Sequence, residues 1–247
     1  MRYSVLYEKG RREKNQDSLV LQRMKTRDGD VILAAVCDGL GGEERGEVAS
    51  GMIAEELVRW FCEELPELLA AKKGRRDLER SLSRALFHVH EALKRYGAER
   101  GLRLGTTMTM LLLFGANCFL AQIGDSMAYR ITPGVFFRFF ERAGCGNGSR
   151  CRPLTVSHGR NASVERCLGI GRYRAPDFSR RKRKRGEAYL LTSDGLLHGI
   201  GCAEFARVLS PHGMMDEETA ARGLRTLCRT AEGRGSTDNM SAVYLWE

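Results

Sequence analysis

Aspartates that lie at the ends of apolar segments are the residues of this sequence most suited to chemistry. Asp38 and Asp194 each follow an apolar run and precede a glycine, Asp125 follows such a run and a glycine, and Asp238 precedes the apolar segment 240–246. A single Asp-Gly pair is an ordinary turn signal. The repetition of this placement instead suggests that the strand ends converge and that the carboxylates share one small volume.

Carboxylates held close together resist ionisation unless a cation neutralises them. Hard divalent cations with oxygen ligands, Mg²⁺ or Mn²⁺, meet that requirement. Glycine next to Asp38, Asp125 and Asp194 fits such a site, because a residue without a side chain lets a backbone carbonyl or a substrate approach the metal. Arg12, upstream of Asn15-Gln16-Asp17, can hold a phosphate through two parallel hydrogen bonds. These residues indicate phosphate chemistry at a divalent-metal site.

Hydrophobic patterning predicts the elements that would position these residues. Val31 to Cys37 is a continuous apolar run, typical of a strand buried on both faces. Two helices follow, and Gly97 is predicted to end the second. In order, the prediction is strands at 3–7, 17–24 and 31–37, helices at 48–61 and 78–96, strands at 106–114, 118–123, 128–131, 135–140 and 188–192, a helix at 220–231 and a strand at 240–246. This order favours an α+β sandwich over a doubly wound parallel sheet.

The formal net charge of +9 is mostly local. One run supplies six of these charges, so the rest of the chain carries 9 − 6 = +3. Such a run is typical of a solvated loop or of a docking patch for an acidic partner. It contains no aromatic residue for base stacking, so nucleic acid is not expected as the main partner, although a basic nucleic-acid-binding protein remains an alternative. The run consists of Arg180, Arg181, Lys182, Arg183, Lys184 and Arg185.

Composition is that of a folded protein, with 43% hydrophobic and 29% charged residues. The longest apolar run, 31–37, falls far short of the ~20 residues of a membrane-spanning helix. We therefore expect a soluble, cytoplasmic protein whose cysteines are reduced and mostly buried. A zinc site built from Cys145, Cys151, His158 and Cys167 is an alternative, but the spacings match no common zinc motif.

Taken in order, short segments spread over residues 12–241 resemble the PPM family of metal-dependent protein phosphatases, the type-2C serine/threonine phosphatases, in their compact bacterial form. The matching segments are Arg12-Glu13-Lys14-Asn15-Gln16-Asp17-Ser18, Val36-Cys37-Asp38-Gly39-Leu40-Gly41-Gly42, Gly46-Glu47-Val48-Ala49-Ser50, Gly105-Thr106-Thr107, Gly124-Asp125-Ser126, Leu154-Thr155, Thr192-Ser193-Asp194-Gly195-Leu196 and Asp238-Asn239-Met240-Ser241.

The resemblance implies a four-layer α-β-β-α sandwich of two mainly antiparallel sheets flanked by helix pairs. It implies a single domain over residues 1–247, with a flap segment shortened to about 141–161. It also implies roles for individual residues. Asp38 would bridge two metal ions and the Gly39 carbonyl would bind one of them. The remaining roles are first-metal ligation by Asp194 and Asp238, orientation of waters by Asp17 with Gln16, phosphate binding by Arg12, and a third metal site at Asp125 and Asp194.

The implied activity is hydrolysis of phosphoserine and phosphothreonine in proteins by a water that bridges two Mn²⁺ or Mg²⁺ ions, without a phosphoenzyme intermediate. The implied partners are phosphoproteins and a serine/threonine kinase whose action the enzyme reverses, and we expect a monomer. The basic run Arg180–Arg185 would dock acidic phosphoproteins or the partner kinase. The alternative is a catalytically weak or inactive phosphatase-like module with a regulatory or binding role.

Overall fold

The computed structural model describes residues 1–40, 45–132, 135–139, 166–209 and 216–247. These residues form two compact units. In described residues, the first unit comprises 1–15, 127–132, 135–139, 183–209 and 216–247, and the second comprises 16–40, 45–126 and 166–182. The predicted flap segment, about 141–161, lies outside the described residues. The single-domain assignment stays a prediction.

The second unit is built on an antiparallel sheet in the order β2-β3-β5-β6-β9, with the short β4 paired to β3. Its strands are β2 (Asp17–Thr26), β3 (Gly29–Leu40), β4 (Gly105–Thr106), β5 (Met108–Phe114), β6 (Asn117–Ile123) and β9 (Asp177–Lys182). Three helices, α1 (Gly46–Glu63), α2 (Leu65–Ala70) and α3 (Arg75–Arg100), belong to the same unit. Every residue from Val31 to Cys37 is buried, as the continuous apolar run predicts.

Packing of this sheet against helices follows the alternation of side chains along β3. Leu33, Ala35 and Cys37 lie in one hydrophobic cluster with the helical residues Leu57 and Trp60. Alternate residues of a strand share a face, so this face of β3 is the one that the helices cover. Trp60 Nε1 donates a hydrogen bond to Ser81 Oγ of α3 at 2.9 Å, so its one polar atom is satisfied inside the core.

The first unit contains a second antiparallel sheet, in the order β1-β11-β10-β7-β8. Its strands are β1 (Arg2–Glu8), β7 (Met127–Thr132), β8 (Val135–Arg138), β10 (Ala188–Thr192) and β11 (Met240–Trp246). A 3₁₀ turn (Asp194–Leu197) and the helices α4 (Cys202–Val208) and α5 (Glu217–Gly233) complete it. Leu224 and Leu227 of α5 join Leu6, Met240 and Tyr244 in the hydrophobic cluster of this unit.

The predicted α+β class with two mainly antiparallel sheets and helices is confirmed. Gly97 was wrongly predicted to end α3, which continues to Arg100. Gly101, at φ 66°, caps the helix instead. Gly97 is needed for another reason, because a Cβ there would lie 2.6 Å from the Leu102 carbonyl oxygen.

The first half of the basic run is a strand rather than a loop, since Arg180, Arg181 and Lys182 belong to β9. The described cysteines form no disulfide: Cys37, Cys118, Cys202 and Cys228 are buried, Cys167 is partly buried and Cys62 is exposed. For the suggested zinc set, Cys145, Cys151 and His158 lie outside the described residues.

Candidate active site

Asp17 and Asp38 face each other across the β2–β3 ladder of the second unit. Asp17 opens β2, Asp38 lies near the end of β3, and the two are register partners. Asp17 is 2% exposed. Burial, together with the negative charges of Asp17 and Asp38, raises the pKa of the neighbouring Cys37 thiol well above its usual range. Two carboxylates directly opposite on paired strands repel each other, so this position is unfavourable without a cation.

Threonine hydroxyls fix the backbone of Asp38. Its N–H donates to Thr107 Oγ1 at 3.0 Å. Its carbonyl accepts from the Thr107 N–H and from Thr106 Oγ1, both at 2.9 Å. Thr106 and Thr107 therefore satisfy the backbone of Asp38 through hydrogen bonds that do not involve its carboxylate.

Gly39 is packed too closely for any side chain. A Cβ there would lie 2.3 Å from the Gly46 carbonyl oxygen and 2.4 Å from the Gln16 carbonyl oxygen. The Gly39 N–H donates to the Gln16 carbonyl at 3.1 Å. This packing holds Gln16, Gly39 and the first residue of α1 together beside Asp38.

Asp125 lies on a turn that is tied to the same strand end. Ser126 Oγ is 2.7 Å from Thr107 Oγ1, and the Ser126 carbonyl accepts from Thr109 Oγ1 at 2.9 Å. Gly124, at φ +100°, lies against Thr107, where a Cβ would be 2.6 Å from the threonine side chain. Thr107 therefore bonds to the Asp38 backbone and contacts the turn that carries Asp125.

In the first unit, Asp194 and Asp238 lie on adjoining segments. A Cβ on Gly195 would be 2.1 Å from the Asn239 carbonyl oxygen and 3.1 Å from Asp238 Cβ. Ser236 Oγ donates to the Gly195 carbonyl at 2.9 Å, which ties the two segments together. The 3₁₀ turn that begins at Asp194 thus packs directly on the segment that leads into β11.

Arg12 binds the Asp238 carboxylate through two parallel hydrogen bonds. Nε donates to Oδ1 at 3.0 Å and Nη2 donates to Oδ2 at 2.9 Å. The side chains are 54% and 43% exposed, so solvent screens the pair. Asn239 holds the loop that carries Arg12, because its Nδ2 donates to the carbonyls of Lys9 at 2.8 Å and Lys14 at 2.9 Å.

The donor groups on these segments fit a hard divalent cation. They are carboxylate and backbone carbonyl oxygens, which Mg²⁺ and Mn²⁺ prefer. Over its described residues, neither unit by itself gathers three or more His, Cys, Asp and Glu side chains that could hold a metal ion. Mg²⁺ keeps several waters and uses one or two carboxylates, so the cross-strand pair of the buried Asp17 and the partly buried Asp38 suits it.

The predicted site residues fall into two groups, one in each unit. The second unit brings together Gln16, Asp17, Asp38, Gly39 and Asp125, and the first brings together Arg12, Asp194 and Asp238. The basic run is divided, with Arg180, Arg181 and Lys182 in the second unit and Arg183, Lys184 and Arg185 in the first.

Sequence reasoning missed the residues that hold these groups in place. Thr107, Ser126 and Asn239 are buried and hydrogen-bonded to the segments that carry the aspartates. A usable signal was present, since each lies in a short motif beside a predicted strand, and buried polar side chains there must find partners.

Comparison with known proteins identifies the family. The profile described as "Protein phosphatase 2C" matches residues 9–243, nearly the whole chain. The chain belongs to the protein phosphatase 2C family. Metal-dependent hydrolysis of serine and threonine phosphate esters is the activity of this family, as the sequence motifs predicted.

Two bacterial relatives of this protein phosphatase 2C chain match most of its length. A putative protein phosphatase 2C-type of Streptococcus pyogenes is 22% identical over 95% of this chain and 92% of its own length. The serine/threonine phosphatase stp of Listeria innocua is 25% identical over 95% of this chain and 90% of its own length. The chain spans only 36% of the length of the Mycobacterium tuberculosis phosphatase PstP, to which it is 28% identical.

Solved structures of protein phosphatase 2C enzymes share the fold. The catalytic domain of PstP in complex with two manganese ions has a TM-score of 0.73 and 25% identity, covering 98% of this chain and 96% of that one. The Streptococcus agalactiae serine/threonine phosphatase has a TM-score of 0.77 and 21% identity, covering 100% and 99% of the two chains.

Proposed function

We propose that this chain hydrolyses phosphoserine and phosphothreonine in proteins with the help of two divalent metal ions, Mn²⁺ or Mg²⁺, and so reverses the action of serine/threonine kinases. The observation that carries the proposal is the pair of carboxylates Asp17 and Asp38, directly opposite on paired strands. A family match over residues 9–243 supports it. When bound, the ions would supply a water nucleophile at neutral pH and neutralise charge on the phosphoryl group.

Each predicted ligand has a role in this proposal. Asp38, the Gly39 carbonyl, Asp194 and Asp238 would hold the two ions, and Asp125 with Asp194 would serve a third. The Asp17 carboxylate would accept hydrogen bonds from the waters around the ions, and the Gln16 side chain would accept or donate them. The hydrogen bonds that Thr106 and Thr107 make to the Asp38 backbone support these roles, because they orient the carboxylate without occupying it.

Arg12 would bind the substrate phosphate. Its guanidinium already presents two parallel N–H donors to the two oxygens of Asp238. A phosphoryl group offers the same spacing of two oxygens, and Arg binds phosphate in this bidentate way. The two N–H donors of the Arg12 guanidinium would also stabilise the negative charge that develops on the phosphoryl oxygens during transfer.

A catalytically weak or inactive phosphatase-like module is the alternative function, and the chemistry of the site does not favour it. Asp17 is buried opposite Asp38, and two carboxylates placed in this way favour a cation beside them. A module that only binds partners would gain nothing from this pair.

We further propose that the protein acts as a monomer in the cytoplasm, on phosphoproteins and together with a partner serine/threonine kinase. None of the described helices combines the length and apolar character of a membrane span. Nucleic acid is not proposed as the main partner, because the charge run contains no aromatic residue.

Hydrolysis of phosphoserine, phosphothreonine and phosphotyrosine peptides by the wild type and by Asp38→Asn tests the proposal. We expect manganese-dependent release of phosphate from the first two peptides and near-complete loss in the variant. The matched control is Asp30→Asn, on the same strand β3 but at its opposite end, where the aspartate pairs with Arg23. Activity that survives in Asp38→Asn, or after chelation, would contradict the metal mechanism.

A further inference from the structure

The strand β9 lies at the edge of the sheet of the second unit. Among the described strands it pairs with β6 and with no other, in a ladder from Gln122↔Asp177 to Asn117↔Lys182. In an antiparallel ladder, alternate residues direct their backbone N–H and C=O groups away from the neighbouring strand. An edge strand of this kind is a template on which another extended chain can pair.

Aromatic packing holds β9 firmly in the sheet. The Phe178 ring stacks on Phe119 of β6, with centroids 5.6 Å apart. The Phe178 carbonyl accepts a hydrogen bond from Arg75 Nη2 of α3 at 3.4 Å. The backbone near the start of β9 is therefore already in contact with a side chain of α3. The part of the strand that follows, Arg180 to Lys182, is exposed. We call Arg180, Arg181 and Lys182 the basic edge.

The cations of the basic edge are arranged along a fixed strand rather than on a loop. Arg180 Nη2 donates to Asn117 Oδ1 at 3.1 Å, and its guanidinium lies 5.9 Å from the centre of the Phe114 ring. The exposed side chain is therefore oriented over β6 and the end of β5. Arg181, next along the strand, points to the opposite face. Positive charge consequently lies on both faces of β9, whose outer edge is paired with no described strand.

The second half of the basic run makes contacts with other segments through the Arg183 side chain and the Lys184 backbone. Arg183 Nη2 forms an ion pair with Glu247 Oε1 at 3.0 Å. The Lys184 N–H donates to Glu187 Oε2 at 3.0 Å, within the turn before β10. Arg183, Lys184 and Arg185 belong to the first unit.

We propose that the basic edge binds an extended, acidic segment of a phosphoprotein substrate by adding it to the sheet as a further strand; this inference rests on the proposed function. Backbone pairing would supply part of the affinity, and glutamate or aspartate side chains would pair with the cations on either face. Like charges would oppose pairing with a second copy of the same edge. Nucleic acid offers no backbone that could extend the ladder.

Binding of a labelled peptide of alternating Glu and Thr, seven residues long, tests strand addition directly on the wild-type protein. Three further peptides carry N-methyl groups on the odd residues, on the even residues or on all residues. A strand with one unmethylated edge can still pair through that edge, whereas the fully methylated peptide has no N–H to donate, so we expect only the fully methylated peptide to lose binding. Undiminished binding of the fully methylated peptide would show attraction by charge alone and would overturn strand addition. Binding of an oligothymidylate of equal charge in place of the peptide would do the same and favour a nucleic-acid partner.

Whether the basic edge contributes to substrate choice is tested by the kinetics of a triple variant. The variant carries Arg180→Gln, Arg181→Gln and Lys182→Gln. The substrates are a phosphothreonine peptide with an acidic flank, one with a neutral flank, and p-nitrophenyl phosphate. We expect kcat/KM for the acidic peptide to fall about tenfold, since several exposed ion pairs are lost, and the other two substrates to be unaffected. The control replaces Arg222, Arg225 and Arg229, exposed on α5, with Gln.

An equal fall for all three substrates, or for the control variant, would contradict docking at the basic edge. Hydrolysis of p-nitrophenyl phosphate by the wild type separates this inference from the proposed function. If that hydrolysis is absent with Mn²⁺, the phosphatase proposal fails, and the peptide-binding measurement still decides strand addition. Should the triple variant unfold, the N-methylated peptides test the inference without any change to the protein.

Discussion

At the residue scale, Thr107 shows how the chain prepares a carboxylate for a ligand. Its hydroxyl accepts from the Asp38 N–H and contacts Ser126 Oγ, and its own N–H donates to the Asp38 carbonyl. The strand end that carries Asp38 and the turn that carries Asp125 are thereby joined through one side chain. A carboxylate whose backbone is held in this way needs little reorganisation when a cation binds, which is the general advantage of a preorganised site.

Replacement of Gly39 by alanine tests this close packing. The new Cβ would overlap the carbonyl oxygens of Gly46 and Gln16, which are backbone atoms and cannot rotate away. We expect a loss of about 2–4 kcal/mol in the free energy of unfolding, measured by urea denaturation, together with loss of phosphatase activity.

Gly51→Ala is the control for Gly39→Ala. Gly51 lies within α1, and no atom would come within 4 Å of a Cβ there. Alanine in a helix interior is favoured over glycine, so this variant should be more stable by about 0.5–1 kcal/mol. Similar effects of the two substitutions would show that the packing around Gly39 is not tight.

Arg12→Lys should impair catalysis while leaving stability almost unchanged. Lysine cannot reproduce the bidentate fork, and we expect kcat/KM to fall about 10–100-fold. The pair with Asp238 is 54% and 43% exposed, so its loss should change the free energy of unfolding by no more than ~1 kcal/mol. The control is Arg11→Lys, at the exposed neighbouring position. An unchanged kcat/KM would exclude Arg12 from phosphate binding.

The aspartates were predictable from the sequence, whereas the residues that hold them were not. An apolar run that ends in Asp-Gly is a local pattern, visible within a few positions. The partners of Thr107 lie 69 and 19 positions away, at Asp38 and Ser126. Such hydrogen bonds depend on strand pairing, which single-sequence patterning does not specify.

At the element scale, Glu204 joins the start of α4 to the end of α5. Its carboxylate accepts from Arg234 Nη1 at 2.7 Å and Nη2 at 2.8 Å, and from the Gly201 N–H at 3.2 Å. These hydrogen bonds, with Arg234 the largest contributor, lower the pKa of Glu204 to about 2. Because its pKa is lowered, the ionised carboxylate stabilises the fold at pH values above 4.5, the pKa expected in the unfolded state. This stabilisation is lost as the pH falls toward 2.

Glu204→Gln should therefore lower the Tm at pH 7, and the difference from the wild type should narrow as the pH falls below 4.5. Scanning calorimetry between pH 7 and pH 3 measures this difference. Glu55→Gln, at an exposed position of α1, serves as the control. A difference that stays constant over the whole range would show that ionisation of Glu204 contributes nothing.

Element prediction failed where a long-range contact outweighs local composition. The charge of Arg180 to Lys182 favours a loop, yet these residues form a strand because β6 offers a ladder and Phe178 stacks on Phe119. The glycine at position 97 likewise did not mark the end of the helix, contrary to the prediction from the sequence. The helix passes through it, and its role is to let the Leu102 carbonyl approach. Apolar periodicity predicted the long helices and the buried strands well, since it reflects the dominant energy of folding.

At the scale of the whole molecule, a bound metal should stabilise the native protein by mass action. At a Mn²⁺ concentration about 100 times the Kd, the expected gain is about 2.7 kcal/mol. For a chain of this size that corresponds to a rise in Tm of about 5–10 °C. Thermal denaturation with and without Mn²⁺ measures it without any substrate.

Asp38→Asn should abolish most of this rise, while Asp30→Asn, at the far end of β3, should keep it. An equal rise in both variants would place the bound metal away from Asp38. This measurement also tells loss of metal binding apart from loss of a catalytic step.

The pairing of β1 with β11 has a consequence for biosynthesis. Arg2 is the register partner of Trp246, and β11 lies between β1 and β10, so both strands lack this neighbour until residues 240–246 have been made. At about 5–20 residues per second, that delay is roughly 10–50 s. The sheet from β2 to β6 needs only residues 17–123 and can assemble earlier. Leu6 of β1 is buried in the folded unit, in one cluster with Met240 and Tyr244 of β11. On the ribosome it would lack these neighbours until β11 has been made, so β1 is a segment that a nascent-chain chaperone would need to cover.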